Sequence, residues 1–236
     1  MARKLKFYKG DMIEYEIFNL VDFYDQILRE PTVPWDFSKR TPKEAEFMAF
    51  SMAETLGALG GLGLSANQVG LKDRICVINM GTEIWTMFNP VIVDHGLTPS
   101  SYSEGCLSYP GLYLKVPRYN HIKVKFQAVY GQEVEQEFDG LTAVCIQHEL
   151  DHLDGIVYTD KVSSIKLEQA KRKVKKNLKR LKVVAAQQEQ QQRAEQVISE
   201  KQKMKPIADE PVPTLKIVDP DKLVQSEEKK FVYNTG

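Results

Sequence analysis

Residues 141–153 have the sequence LTAVCIQHELDHL, and this stretch carries both a structural and a chemical signal. An apolar run leads into His148 and His152, which are four positions apart, and Gly155 follows as a stop signal. We therefore predict a largely buried helix. The pattern is H-E-x-x-H, in which both imidazoles share one helix face and can bind one metal ion. Glu149 would sit beside that ion and move protons from bound water.

A catalytic site of this kind usually has a third protein ligand, and spacing alone leaves four candidates. Cys106 lies in a polar, glycine-bearing segment, and Cys145 lies one turn before the first histidine. Asp151 is on the same helix but offset from the histidine face. Glu168 lies downstream, where many metalloproteases have their third ligand, and choosing it would make the chain a zincin-like metallo-endopeptidase.

Composition limits the class of protein. The chain has 236 residues, of which 42% are hydrophobic and 27% are charged, enough for one ordinary core. We find no apolar stretch of membrane-spanning length and no signal-peptide pattern at the N-terminus. Three widely spaced cysteines, Cys76, Cys106 and Cys145, argue against a disulfide framework and fit a reducing compartment. We expect a cytoplasmic protein with no membrane partner.

The charge is unevenly distributed, although 32 basic and 32 acidic residues cancel. Residues 161–182 contain ten basic residues and one acidic residue, a net charge of +9, whereas residues 1–160 carry a net charge of −8. We predict a catalytic domain over 1–160, a basic C-terminal helix over 161–205 and a flexible, proline-containing tail over 206–236.

The basic helix allows two interpretations. Its thin apolar stripe consists of Leu167, Val174, Leu178, Leu181 and Ala185. This stripe predicts that the helix packs on the domain and exposes its lysines to solvent. The same local charge would also suit rRNA phosphates.

Other patterns predict the rest of an α+β fold. Thr41-Pro42-Lys43-Glu44 is a capping box that starts a helix running to about Leu56, with Gly57, Gly60 and Gly61 as the stop signals. Residues 15–24 fit either a helix or a strand. Strands are predicted over 74–78, 86–88, 122–126 and 133–138, the last two forming a hairpin. We therefore expect small antiparallel or mixed sheets around the buried H-E-x-x-H helix, followed by the basic helix.

Three segments then occur together in order: GLGLSANQ over 61–68, EGCLS over 104–108 and QHELDH over 147–152. The set resembles the peptide deformylase family, across roughly residues 20–182. The resemblance implies a metal-dependent hydrolase in protein biosynthesis that removes the N-formyl group from N-formylmethionyl nascent peptides and releases formate. Ser65 departs from the usual motif, which has alanine there, without removing a catalytic group.

The resemblance also implies the metal centre. Cys106, His148 and His152 would be the three ligands of one divalent metal per chain, with water in the fourth position. In this family the physiological metal is usually Fe²⁺, and Zn²⁺, Ni²⁺ or Co²⁺ can substitute. Glu149 would be the general acid and base acting on the metal-bound water.

Further roles follow from the same resemblance. Gln68 and the backbone N–H of Leu107 would donate hydrogen bonds to the oxyanion, and Glu104 and Arg118 would form an ion pair behind the site. The implied substrate-binding positions are Leu62, Gly63 and Cys145. Gly63 lies in the loop whose backbone pairs with the extended peptide, and the other two line the pocket for the methionine side chain.

The resemblance also suggests partners. Deformylases act on chains that emerge from the ribosome, so the basic segment 161–182 is a candidate ribosome contact on an otherwise monomeric protein. Two rival interpretations stay open at this point. One is the zincin-like endopeptidase, and the other is a ribosome-binding protein on a deformylase scaffold.

Overall fold

The computed structural model describes residues 3–8 and 10–203. Contacts divide the chain into two units, Met1–Arg180 and Leu181–Gly236. The predicted tail over 206–236 lies outside the described residues, as do the last two positions of the predicted basic helix. The predicted domain boundary at residue 160 falls inside the first unit and stays a prediction.

Three helices and nine strands are found in the described part of the chain. The helices are α1 (Pro42–Leu59), α2 (Gly140–Leu153) and α3 (Ser164–Lys203). The strands are β1 (Lys4–Tyr8), β2 (Asp11–Tyr15), β3 (Gly63–Ser65), β4 (Ile75–Asn79), β5 (Ile84–His95), β6 (Pro99–Cys106), β7 (Tyr109–Tyr119), β8 (His121–Gln127) and β9 (Glu133–Asp139). None of these helices is long and apolar enough to cross a membrane.

The strands form one five-stranded sheet and two hairpins. The sheet has the order β3-β4-β5-β8-β9, while β1 pairs with β2 and β6 pairs with β7. All of these ladders are antiparallel. The prediction of an α+β fold with small antiparallel sheets is therefore confirmed.

The central strand β4 is covered on both faces, because successive side chains of a strand point to opposite sides. Ile75 and Val77 join a core cluster with residues of α1. Cys76 and Ile78 join a second cluster with residues of α2. Helices therefore pack on both faces of the sheet, and α2 is held against β3 and β4.

Helix α1 begins as predicted and ends later. The Thr41 side chain accepts a hydrogen bond from the Glu44 backbone, and the Glu44 carboxylate accepts one from the Thr41 N–H, which confirms the capping box. The helix passes through Gly57 and ends at Leu59, because Gly60 takes up the left-handed conformation that closes it. The predicted end near Leu56 was therefore one turn too early, and of the three predicted stop signals it is Gly60 that closes the helix.

The strand predictions were partly right. The hairpin over 122–126 and 133–138 is confirmed as β8 and β9, and the predicted strands over 74–78 and 86–88 correspond to β4 and to part of the longer β5. Past the end of β2 at Tyr15, the chain up to Tyr24 forms neither helix nor strand. The β6–β7 hairpin was not predicted.

Helix α3 packs against the β6–β7 hairpin. Inward-facing side chains alternate along β7 and form a third core cluster, to which α3 contributes three half-buried residues. These three are Leu167, Ala170 and Val174. Leu178 and Leu181 are 53% and 64% exposed, and Ala185 is exposed. The predicted packing stripe therefore extends only to Val174, where contact with the β7 cluster ends.

Candidate metal centre

The end of β6 and the second half of α2 bring three metal-binding side chains together. Cys106 is the last residue of β6, while His148 and His152 lie one turn apart on α2 and are buried. One ligand atom from each lies within 4.8 Å of the others, and Cys106 Sγ is 3.2 Å from His152 Nε2. This is the one such group among the described residues.

The two imidazoles differ in their hydrogen bonds and in their pKa values. His148 Nδ1 lies 3.0 Å from Glu104 Oε2, which leaves Nε2 free to point at an ion. Burial opposes protonation of His148, but its hydrogen bonds to Cys106 and Glu104 outweigh burial and raise its pKa to about 10. Binding of a metal at Nε2 would therefore release a proton.

His152 is fully buried, and burial holds its pKa well below the usual range. It is therefore neutral, the form that binds metals, although its Nδ1 has no hydrogen-bond partner among the described residues. A thiol and two imidazoles at these distances suit Fe²⁺ or Zn²⁺. The donor set thus fits one divalent transition metal.

A buried ion-pair network supports His148. Arg118 is 3% exposed and donates from Nε and Nη2 to the two oxygens of Glu104, at 2.6 and 3.0 Å. Burial works against ionisation of Glu104, but hydrogen bonds to His148 and Arg118 outweigh it and lower its pKa. The expected ion pair behind the site is confirmed. The sequence did not reveal that Arg118 also bonds Asp151, which in turn pairs with Lys161 at 2.9 Å.

Glu149 lies beside the histidines and is 3% exposed. Burial raises its pKa to about 7, while the charge of His148 and the Ser65 hydroxyl act in the opposite direction. Its Oε2 has no hydrogen-bond partner among the described residues. Glu149 is therefore a buried carboxyl group that can exist in either protonation state near neutral pH.

Gly63 allows this carboxyl to lie against the backbone of β3. A Cβ atom at Gly63 would be 2.5 Å from Glu149 Oε1 and 2.7 Å from Cys145 Sγ. Only glycine permits so close an approach. Leu62, next to it, is 51% exposed, and Cys145 is half-buried with a thiol pKa that burial raises.

Gln68 presents its amide N–H to the same place. Gln68 lies on a short 3₁₀ turn, Ala66–Val69, and is 1% exposed. Its Nε2 is 3.4 Å from Cys106 Sγ and 3.1 Å from Ser108 Oγ. Leu107 lies in the turn between β6 and β7, so its backbone N–H is one residue from the cysteine.

The remaining ligand candidates lie elsewhere. Glu168 is on α3, where its largely exposed side chain lies 3.4 Å from Lys171. Asp151 is bound by Arg118 and Lys161. Cys145 lies against Gly63 and is not part of the three-ligand group. The structure thus does not bring Glu168 to the histidines, as the endopeptidase interpretation required.

An H-E-x-x-H helix beside a third ligand is typical of mononuclear metallohydrolases. A family model described as polypeptide deformylase matches residues 17–168. The chain therefore belongs to the polypeptide deformylase family.

Individual relatives agree with this assignment. A peptide deformylase 2 from Xanthomonas axonopodis pv. citri is 38% identical over 68% of this chain and 95% of its own length. A peptide deformylase from Prochlorococcus marinus subsp. pastoris is 43% identical over half of this chain, a match that spans only 61% of the relative. A crystal structure of a peptide deformylase from Legionella pneumophila superposes with a TM-score of 0.62 at 33% identity, covering 71% of this chain and 98% of that one.

Proposed function

We propose that this chain removes the N-formyl group from N-formylmethionyl nascent peptides and releases formate. The observation that carries the proposal is the three-ligand group of Cys106, His148 and His152 beside the buried carboxyl of Glu149. Membership of the polypeptide deformylase family supports the same reaction.

Cys106, His148 and His152 would hold the metal. When bound there, a divalent metal would lower the pKa of water and polarise the formyl carbonyl. The Arg118–Glu104 pair would keep His148 oriented, because Glu104 fixes the imidazole by its Nδ1.

Glu149 would move the proton. Its pKa of about 7 lets the ionised carboxylate accept a proton from the attacking water and then donate it to the leaving amine. The Gln68 Nε2 group and the Leu107 N–H would donate hydrogen bonds to the formyl oxygen as it becomes negative. Because both donors are held in place before the reaction begins, they need not reorient as the negative charge forms.

The substrate would bind along β3. The backbone at Gly63 would pair with the extended peptide, as an added strand at a sheet edge does. β3 is an edge strand, since it pairs only with β4 within the five-stranded sheet. Leu62, which precedes this glycine in the chain, and Cys145, whose Sγ lies against it, would line the pocket for the methionine side chain.

The direct test is formate release from formyl-Met-Ala-Ser, with anaerobically purified protein beside its Glu149→Ala variant. We expect turnover in the wild type and a loss of about 100-fold to 10,000-fold in kcat in the variant, since the proton transfer is lost. Metal content should be the same in both proteins. Absence of turnover in metal-loaded wild type would contradict the proposal.

We propose Fe²⁺ as the native metal, with Zn²⁺, Ni²⁺ or Co²⁺ able to replace it. A thiolate ligand and a half-buried Cys106 leave an iron site open to oxidation. The iron form should therefore lose activity in air, while the zinc form should not. Full activity of the iron form after prolonged aeration would contradict this assignment.

We also propose that the basic segment 161–182 contacts the ribosome in the cytoplasm, as part of a monomeric enzyme. Its net charge of +9 is carried largely by exposed side chains. Such a contact should be strong at low salt and weaken steeply as salt rises. Co-sedimentation with ribosomes across a salt series tests it, and binding that is absent at low salt or independent of salt would overturn it.

A further inference from the structure

Ser65 makes an unusual pair of hydrogen bonds with Gln68. The Ser65 backbone N–H and the Ser65 hydroxyl both donate to Gln68 Oε1, each at 2.9 Å. Ser65 is completely buried and Gln68 is 1% exposed. No solvent molecule is therefore needed to satisfy this oxygen, because two donors of one residue hold it.

This pair of bonds determines which end of the amide faces the metal-binding group. With Oε1 held by Ser65, the Nε2 group points at Cys106 Sγ and Ser108 Oγ. A flipped amide would bring two N–H donors against the Ser65 backbone N–H, which cannot accept. The Ser65 hydroxyl donates the second bond to Oε1. In the flipped form it would have to turn round and accept a hydrogen bond from the amide instead.

Ser65 lies on the face of β3 that is turned toward Glu149. Ser65 and Gly63 are two residues apart, so they face the same side of the strand. Gly63 on that side contacts Glu149. The hydroxyl therefore lies between two acceptors, the Glu149 carboxyl and Gln68 Oε1. It has one proton, and the hydrogen bond at 2.9 Å gives that proton to Gln68 Oε1.

We propose that Ser65 is a positioning residue, whose hydroxyl holds the Gln68 amide with its N–H toward the reacting carbonyl. The proposal rests on the proposed deformylase function and assigns a role to the position where the motif usually has alanine. Alanine would keep the backbone bond to Oε1 and lose the second one. The Gln68 amide would then be held less firmly, so its N–H would stabilise the developing oxyanion less.

The test is a double-mutant cycle with Ser65→Ala, Gln68→Ala and the combined variant, assayed with formyl-Met-Ala-Ser. Ser65→Ala should lower kcat about fivefold, the scale of one net hydrogen bond, and leave KM within about twofold. In the Gln68→Ala background the same change should leave kcat within about twofold, because the amide it positions is gone.

Ser51→Ala is the matched control. Ser51 lies on α1, outside the site, and is also completely buried. Its hydroxyl accepts a hydrogen bond from the Glu16 N–H at 2.9 Å. This variant should lower thermal stability without changing kcat. A Ser65→Ala variant that behaves like it, with lower stability and unchanged kcat, would overturn the proposal.

A second readout separates this proposal from the proposed function. In Zn²⁺-loaded protein, NMR can follow solvent exchange of the Gln68 side-chain amide protons, identified by their absence in Gln68→Ala. Exchange should be about fivefold faster in Ser65→Ala, since one bond that holds the amide is lost. If wild type shows no turnover but exchange accelerates, the function fails and the positioning role stands. Equal exchange rates, or equal kcat losses in both backgrounds, would overturn the positioning role.

Discussion

Helices α2 and α3 both carry many ionisable side chains, but they use them in opposite ways. On α2, His148, Glu149 and His152 are buried, and the network around them is closed by Glu104 and Arg118. On α3, the lysines and arginines up to Arg180 are exposed. Burial makes the charges of His148 and Asp151 on α2 depend on specific partners, whereas the charges on α3 act through their number.

The largest difference should appear when a buried charge loses its partner. Arg118→Met removes the cation from between Glu104 and Asp151, and leaves two carboxylates in a largely buried place. We expect the free energy of unfolding to fall by about 3–5 kcal/mol. Chemical denaturation measures it.

Arg172→Met is the matched control on α3, where the side chain is exposed. It should change the free energy of unfolding by less than about 0.5 kcal/mol. Equal losses in the two variants would remove the distinction between the helices.

Gly63→Ala tests whether the close approach to α2 matters for chemistry. The new Cβ would overlap Glu149 Oε1 and Cys145 Sγ, so Glu149 must move. We expect kcat to fall at least about tenfold, because a small misplacement of a catalytic group is costly. Steady-state kinetics of formate release measures it.

Gly57→Ala is the paired variant for that experiment. Gly57 lies inside α1, and a Cβ there has no atom within 4 Å. It should raise the free energy of unfolding by about 0.5–1 kcal/mol and leave kcat unchanged. A normal kcat in Gly63→Ala would show that Glu149 does not need its present position.

The smallest effect on the folded domain is expected on α3. Changing Lys173, Lys176 and Lys179 to glutamate lowers the net charge of residues 161–182 from +9 to +3. Each exposed change should alter the free energy of unfolding by no more than about 0.5 kcal/mol, and kcat should not change.

Ribosome co-sedimentation by that triple variant should nevertheless fall at least about tenfold at low salt, because phosphate contacts depend on the number of cations. The same three positions changed to arginine keep the charge and should keep the binding. Ribosome binding that survives the glutamate changes would assign the contact to another surface.

Local rules made part of this structure predictable. The Thr41 and Glu44 capping box is satisfied within one turn of α1, and the β8–β9 hairpin follows from strict alternation and a short turn. The spacing of His148 and His152 likewise needs only helical geometry. Each of these signals lies within a few residues of the feature that it predicts.

Other features depend on packing between distant segments. The choice of Cys106 over Cys145 or Glu168 requires β6 to end beside α2, a contact that spacing does not contain. The β6–β7 hairpin was missed although Leu112, Leu114 and Val116 alternate, because prolines and a glycine interrupt the pattern. Arg118 is the next inward-facing residue of β7 after Val116. A cation at a buried position of a strand predicts a buried carboxylate partner.

We propose that Cys106 completes a metal site with the two histidines of α2. The most direct measurement is the metal content per chain of anaerobically purified wild type, Cys106→Ala and Cys145→Ala, by mass spectrometry of the elements. We predict one divalent metal per chain in wild type and in Cys145→Ala, and almost none in Cys106→Ala. Full metal content in Cys106→Ala, or its loss in Cys145→Ala alone, would show that Cys106 is not the third ligand.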